Sequence, residues 1–288
     1  MDNRAPAFWI LLSCLLFATL SALVKLAASG VSLPEIVFFR TLPAAVGLAA
    51  LARLRGQRIA THAWRLHALR CAVGVTTMFV GFYAVSRLPL ATATTLEYTT
   101  PLFMLAYMIV LARRRLTLRM ALAMIGGFAG VVILMRPTLH TGQAVAFCAA
   151  LCAAALAGVV YVLIRRLSEA GEPPWRIVLW NSLVATVVAA AMLPFAPRGS
   201  YDARTIAALA AVGIVGLGAQ LTMTRAFATG PATLLASLQY STVAFAAMYG
   251  VLVWNDELSV GSVLGLALIV MSGIVAVKRA DEPMPVES

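Results

Sequence analysis

The chain has 288 residues, of which 62% are hydrophobic and only 11% charged, whereas an ordinary soluble domain carries about 25% charged residues. So little polar surface excludes a water-soluble globular protein and places the chain in a lipid bilayer. The formal net charge of +11 does not point to nucleic acid, because the positive residues fall between apolar runs, as they do in the cytoplasmic loops of polytopic membrane proteins.

A spanning helix needs roughly 20 mostly apolar residues. Ten such runs follow one another, at 6–29, 34–54, 64–86, 89–112, 117–136, 142–165, 174–195, 203–228, 231–253 and 258–278, which predicts an all-α integral membrane protein with ten transmembrane helices. The first run lacks a convincing cleavage site and reads as a retained signal anchor. Gly and Pro mark the breaks, as at Gly30 to Pro34, Leu88-Pro89 and Gly230-Pro231. Only the segment from Arg53 to Ala63 and the tail after Lys278 extend beyond short connections, which excludes a soluble or nucleotide-binding domain. Cys14, Cys71, Cys148 and Cys152 fall in or beside apolar runs, as small core residues do. They have neither disulfide nor zinc spacing, so no metal and no cofactor are expected.

With the N-terminus inside, Arg4, Arg53, Arg55, Arg58, Arg65, Arg70, Arg113, Arg114, Arg115, Arg119, Arg165, Arg166, Arg176, Lys278 and Arg279 collect on the cytoplasmic side, against Arg87, Arg136, Arg198 and Arg204 opposite. That bias predicts both termini in the cytoplasm, and an even number of spans satisfies it.

Sliding the second half back by about 142 residues aligns Leu88-Pro89 with Gly230-Pro231, Glu97-Tyr98 with Gln239-Tyr240, Thr100 with Thr242 and Tyr107 with Tyr249. Earlier in the chain Lys25 meets Arg165 and Pro34 meets Pro174. Five spans per half is odd, so the second half enters the membrane inverted. The expected units are 1–140, 141–280 and a cytoplasmic tail 281–288. Two inverted halves form the two sides of an alternating-access transporter, with substrate held near the midplane.

The stretch Phe82 to Tyr107, FYAVSRLPLATATTLEYTTPLFMLAY, supplies the chemistry for such a cavity. Glu97 is an ionisable group inside a span, where function is the default expectation, and it is the best candidate for coupling to protons. Pro101 either bends its helix or frees a carbonyl that binds an ammonium group. Tyr83, Tyr98, Trp180 and Tyr240 offer apolar rings with polar tips, suited to a zwitterion with an apolar side chain. Thr99 and Gln239 complete the expected binding set. Lys25 and Arg40 either reach the substrate and take part in gating or snorkel to the headgroups. Gly126 and Gly130 form a G-x-x-x-G pair that permits close helix contact, and because one chain supplies both halves a monomer is expected to function.

These residues resemble a known family. Lys25, the helix opening PEIVFFR with Arg40, the segment around Glu97 and its echo TRAFATGPATLLASLQYSTVAF, and the final helices of each half with GGFAGVVIL and VMSGIVAV are similar to the drug/metabolite transporter superfamily, EamA type. Within it the pattern looks like the YddG-type amino-acid exporters of bacterial inner membranes. The chain departs from that pattern where the first half has Arg113-Arg114-Arg115 and the second has Asp256-Glu257. The resemblance implies export of aromatic and other neutral amino acids across the inner membrane, with a multidrug or cationic-compound exporter as the alternative. An enzyme is not expected: His62, His67 and His140 lie in no H-E-x-x-H, and no G-x-S-x-G occurs.

Overall fold

The computed structural model describes residues 4–27, 31–88, 90–110, 118–135, 142–197, 199, 201–255 and 260–280. The tail 281–288, the Arg113 to Arg115 run, the Asp256-Glu257 pair and the side chain of Lys25 lie outside the described residues. A backbone crossing hydrocarbon must satisfy its own N–H and C=O groups, and within one segment only a helix does so. Accordingly the described secondary structure is helical throughout.

The first half comprises α1 (Arg4–Ala27), α2 (Leu33–Leu54), α3 (Trp64–Arg87), α4 (Leu90–Glu97), α5 (Thr100–Val110) and α6 (Leu118–Met135). The second comprises α7 (Ala144–Glu169), α8 (Pro174–Met192), α9 (Ala203–Thr229), α10 (Ala232–Gln239), α11 (Ser241–Trp254) and α12 (Val260–Ala280). The fold is therefore ten spans in two five-span repeats. The fourth and ninth spans are each interrupted, α4 from α5 at Tyr98-Thr99 and α10 from α11 at Tyr240. By length and composition alone, six helical stretches among the described residues suffice to cross a membrane. The third span, α3, dilutes its apolar character with Arg65, His67, Arg70 and Arg87.

Packing follows a pseudo-two-fold exchange of the halves, α1 with α7, α2 with α8, α3 with α9 and α6 with α12. The main contacts are α1 on α9 and its counterpart α3 on α7, with α2 on α8 and α6 on α12 each crossing the axis. The weaker contacts also pair, α2 on α9 with α3 on α8, and α1 on α10 and α11 with α7 on α4 and α5. Single hydrogen bonds stitch several of these pairs in a medium without competing water: Ser13 Oγ donates to Ala219 O at 3.2 Å, Ser272 Oγ donates to Ala123 O at 2.6 Å, and the Thr41 and Thr186 hydroxyls share a bond of 2.8 Å.

The α6–α12 seam depends on glycines facing each other. A Cβ on Gly130 would stand 2.7 Å from Gly265 O, and one on Gly265 would stand 2.7 Å from Gly130 O. Gly126, by contrast, has open space around it, so the contact is made by Gly130 and joins the two halves of one chain. Replacing Gly265 by valine is expected to destabilise the protein by about 1–3 kcal/mol through overpacking, measured as a lower thermal midpoint of the purified protein in detergent. An unchanged midpoint would show that the seam is looser than described.

Candidate functional site

A cavity of about 320 Å³ lies between the halves, lined by α1, α2, α3, α4, α7, α8 and α9. This is at the lower end of the range for small-molecule sites, about 300–1,000 Å³. The walls on α7 include Ala150, Ala153, Ala154 and Ala157, side chains too small to fill the space between spans. On α2 the lining runs from Val37 to Ala44, and on α3 from Arg70 to Ala84. The cavity therefore occupies the middle of the bundle and the half toward the start of α2 and the end of α3.

Polar groups converge there. Arg40, Arg70, Glu97, Tyr161, Asn181 and Gln220 all contribute to the lining. Glu97 ends α4. It is exposed although Leu96 beside it is 8% and Thr100 beyond it 5% exposed, because its side chain opens onto the cavity. Arg40 and Glu97 are close enough to interact electrostatically, yet no ion pair within 4.0 Å joins them among the described residues. Tyr161 stacks on Phe227 with ring centroids 4.2 Å apart and accepts a hydrogen bond from Gln239 Nε2 at 2.8 Å.

Side chains supply donors to carbonyls freed at the two interruptions. Pro101 cannot donate to Glu97 O, and the Thr100 hydroxyl does so instead at 2.7 Å, while Thr99 Oγ1 donates to Leu96 O at 2.6 Å. At the second-half interruption the thiol of Cys14, on α1 of the first half, lies 3.6 Å from Leu238 O and 3.9 Å from Gln239 O. The carbonyl released by Pro101 thus has a protein partner.

Of the residues read from the sequence, Glu97 and Arg40 line the cavity, and Gln239 reaches it through Tyr161. Tyr240 is fully buried with Val131, Val243 and Ile269, and Tyr98 packs against that cluster. Trp180 Nε1 donates to Ile59 O at 3.3 Å. Tyr83 is 43% exposed and lies beneath the Arg87 guanidinium, 5.8 Å from its ring centre. Pro101 is buried at the start of α5. The structure adds Arg70, Tyr161 and Asn181. Arg70 counts among the positive charges of one membrane face when only the sequence is read, but it sits two turns inside α3 and is 3% exposed.

One face of the bundle is closed by a charged network. Glu172, between α7 and α8, accepts from Thr61 Oγ1, accepts from Arg176 Nη1 at 3.0 Å and stands 3.3 Å from His67 Nε2. Arg176 Nη2 donates to Arg58 O at 2.7 Å. The connection between α2 and α3 is thereby fastened across the starts of α3 and α8, on the face away from the half of the bundle that the cavity occupies. On the other face, Glu35 accepts from Tyr201 Oη at 2.5 Å and from Gly199 N at 3.2 Å, tying the α8–α9 connection to α2. That carboxylate, by its hydrogen bond, holds the Tyr201 phenol above its ordinary range.

Two inverted halves enclosing a charged central cavity define a membrane transporter. The chain belongs to the EamA-like transporter family, whose model matches it twice, over residues 4–136 and 144–277. It is thus a multi-pass membrane transporter and not an enzyme. It is 28% identical over 258 residues to the pseudopaline exporter CntI of Pseudomonas aeruginosa, covering 90% of each chain. It is 26% identical over 274 residues to an uncharacterized transporter of Helicobacter pylori, covering 92% of each. Mouse solute carrier family 35 member G1 is 24% identical over 285 residues, covering 92% of this chain and 76% of that one. A solved crystal structure superposes with a TM-score of 0.85 at 22% identity, covering 98% of this chain and 100% of that chain, a likeness of fold.

Burial by itself raises the Glu172 pKa, but the hydrogen bonds from Thr61, Arg176 and His67 outweigh it and hold the carboxyl below its ordinary value of 4.5. A carboxylate with a lowered folded pKa contributes stability above its unfolded value, and that contribution is lost as pH falls through the folded one. Glu172→Gln is therefore expected to melt at a lower temperature than the parent at pH 7. The difference should shrink as pH is lowered below 4.5 toward the folded-state pKa of Glu172. Thermal melts of both proteins across that range check it, and a gap that widens on acidification would contradict it.

Proposed function

We propose that the protein is a secondary transporter of the bacterial inner membrane that exports amino acids or similar small zwitterionic metabolites by alternating access. The observation that carries this reading is the presence of both signs of charge in one central cavity. Glu97 and Arg40 line it, and neither side chain has a hydrogen-bond partner among the described residues. An α-amino acid presents the complementary pair, an ammonium for the carboxylate and a carboxylate for the guanidinium. Phe17 and Tyr161 in the wall offer apolar surface to a side chain, aromatic ones included. A cationic-drug exporter finds support in Glu97 alone, and Arg40 and Arg70 in the same lining oppose it.

Both termini lie in the cytoplasm on this reading, from the distribution of arginines among the connections. The closed face is then the cytoplasmic one, and the half of the bundle that the cavity occupies faces outward. A cysteine placed at Arg55 should react with a membrane-impermeant thiol reagent only after the cells are opened, in a background with the natural cysteines replaced. Labelling of intact cells would reverse the orientation. One chain supplies both halves, so the functional unit is a monomer.

Substrate class is tested by counterflow in proteoliposomes of the purified protein with a panel of radiolabelled amino acids and a cationic dye. Exchange of amino acids is expected, and Glu97→Gln should lower it by about tenfold or more through loss of the ammonium partner. Exchange of the dye alone would replace amino-acid export by drug export.

A further inference from the structure

Among the described residues the cavity lining holds more positive than negative charge, and its glycines leave room for that charge. Arg70 Nη1 donates to Asn181 Oδ1 at 2.6 Å, and its guanidinium lies over Gly74, where a Cβ would stand 2.4 Å from that nitrogen. Arg70 Nε is buried without a hydrogen-bond partner, and no carboxylate lies within 4.0 Å of the guanidinium among the described residues. Arg40 enters from α2 over Gly216, where a Cβ would stand 3.1 Å from its Cγ. Its guanidinium carbon is 5.9 Å from the centre of the Phe17 ring. Among the described residues Glu97 is the carboxylate of the lining, so Arg40 and Arg70 leave it one positive charge in excess.

A guanidinium taken out of water without an anion is costly. Asn181 orients Arg70 through its amide oxygen but brings no charge, and its N–H₂ donors have no protein partner among the described residues. An arginine serving only to staple α3 to α8 would be expected to meet a carboxylate. Arg70 instead meets a neutral oxygen at the wall of an open space. Arginine and an adjacent amide make a fork suited to a carboxylate.

We propose that the preferred substrate is an amino dicarboxylate, with one carboxylate on Arg70 and Asn181, the other on Arg40 and the ammonium on Glu97. This rests on the reading of the protein as an amino-acid transporter and narrows it. The net charge of such a substrate, minus one, balances the excess of the lining. Its polar ends account for both arginines, which a neutral amino acid does not. Arg70 acts as a specificity-determining residue, and Gly74 keeps its place open.

Glutamate and glutamine test this because they have nearly the same size and differ in one carboxylate. In counterflow with the parent protein at equal concentration below saturation, glutamate should exchange about tenfold faster or more. Arg70→Gln should depress glutamate more than glutamine, so that their ratio falls toward one. Gly74→Ala, which retains every charge but crowds the guanidinium, should lower the ratio in the same direction. Should Arg70→Gln fail to fold, the parent's own ratio together with Gly74→Ala decides. Glutamine exchanging as fast as glutamate in the parent, or a ratio unmoved by either substitution, overturns the proposal and leaves amino-acid export standing. A cationic dye exchanging while every amino acid fails overturns both.

Discussion

A peptide group in hydrocarbon that lacks a hydrogen-bond partner costs several kcal/mol, and the architecture depends on that constraint. It makes every span helical. It also determines where a span is allowed to break, because each break releases carbonyls that need donors. Here the breaks fall at matched places in the two halves, after Glu97 and after Gln239. Thr99 and Thr100 supply the donors in one half, and Cys14 of the opposite half supplies a weaker one in the other. Pro101 is therefore not a sufficient account of the break, since Val243 stands at its counterpart and α10 still ends. What the break achieves in the first half is to end α4 on a carboxylate that opens onto the cavity.

Small side chains determine how near the halves come and what room is left between them. Gly130 against Gly265 brings α6 and α12 into backbone contact on one side of the bundle. The alanines of α7, with Gly74 and Gly216, keep the opposite side open and admit two long cationic side chains. The same residue type thus closes one seam and opens another, according to what faces it. The face at the starts of α3 and α8 is shut by bonds converging on Glu172, so passage on that side requires those bonds to part. A buried carboxylate with three partners makes the closed arrangement specific, and its connection to His67 and Arg176 joins elements from both halves.

The membrane class, the number of spans and the inverted repeat were legible in the sequence because they rest on periodicities that hold whatever the packing. Length of apolar run, Pro and Gly punctuation and the echo of Glu97-Tyr98 in Gln239-Tyr240 are local properties. Glu97 stood out for the same reason, as a charge in an apolar run. The arginines were harder to place. Arg70 looks like another positive residue near the end of a span, and only its distance of two turns inside α3, followed one turn later by Gly74, sets it apart from Arg65. The tyrosines show how little the sequence says of where a matched pair points. Tyr98 and Tyr240 match across the repeat, yet Tyr240 packs wholly within the bundle against Val131, Val243 and Ile269.

By itself, the sequence determined that this chain is a ten-span helical protein of two inverted halves, because hydrocarbon imposes helices and apolar length counts them. Only the tertiary structure decided which faces of those helices meet. An α-helix presents residues around its whole circumference, and apolar composition in lipid does not distinguish a side facing lipid from one facing a cavity. Rotation about each helix axis is set by contacts with distant segments, Gly265 for Gly130 and Asn181 for Arg70. Those rotations bring Arg40, Arg70 and Glu97, from three different helices, to one 320 Å³ space.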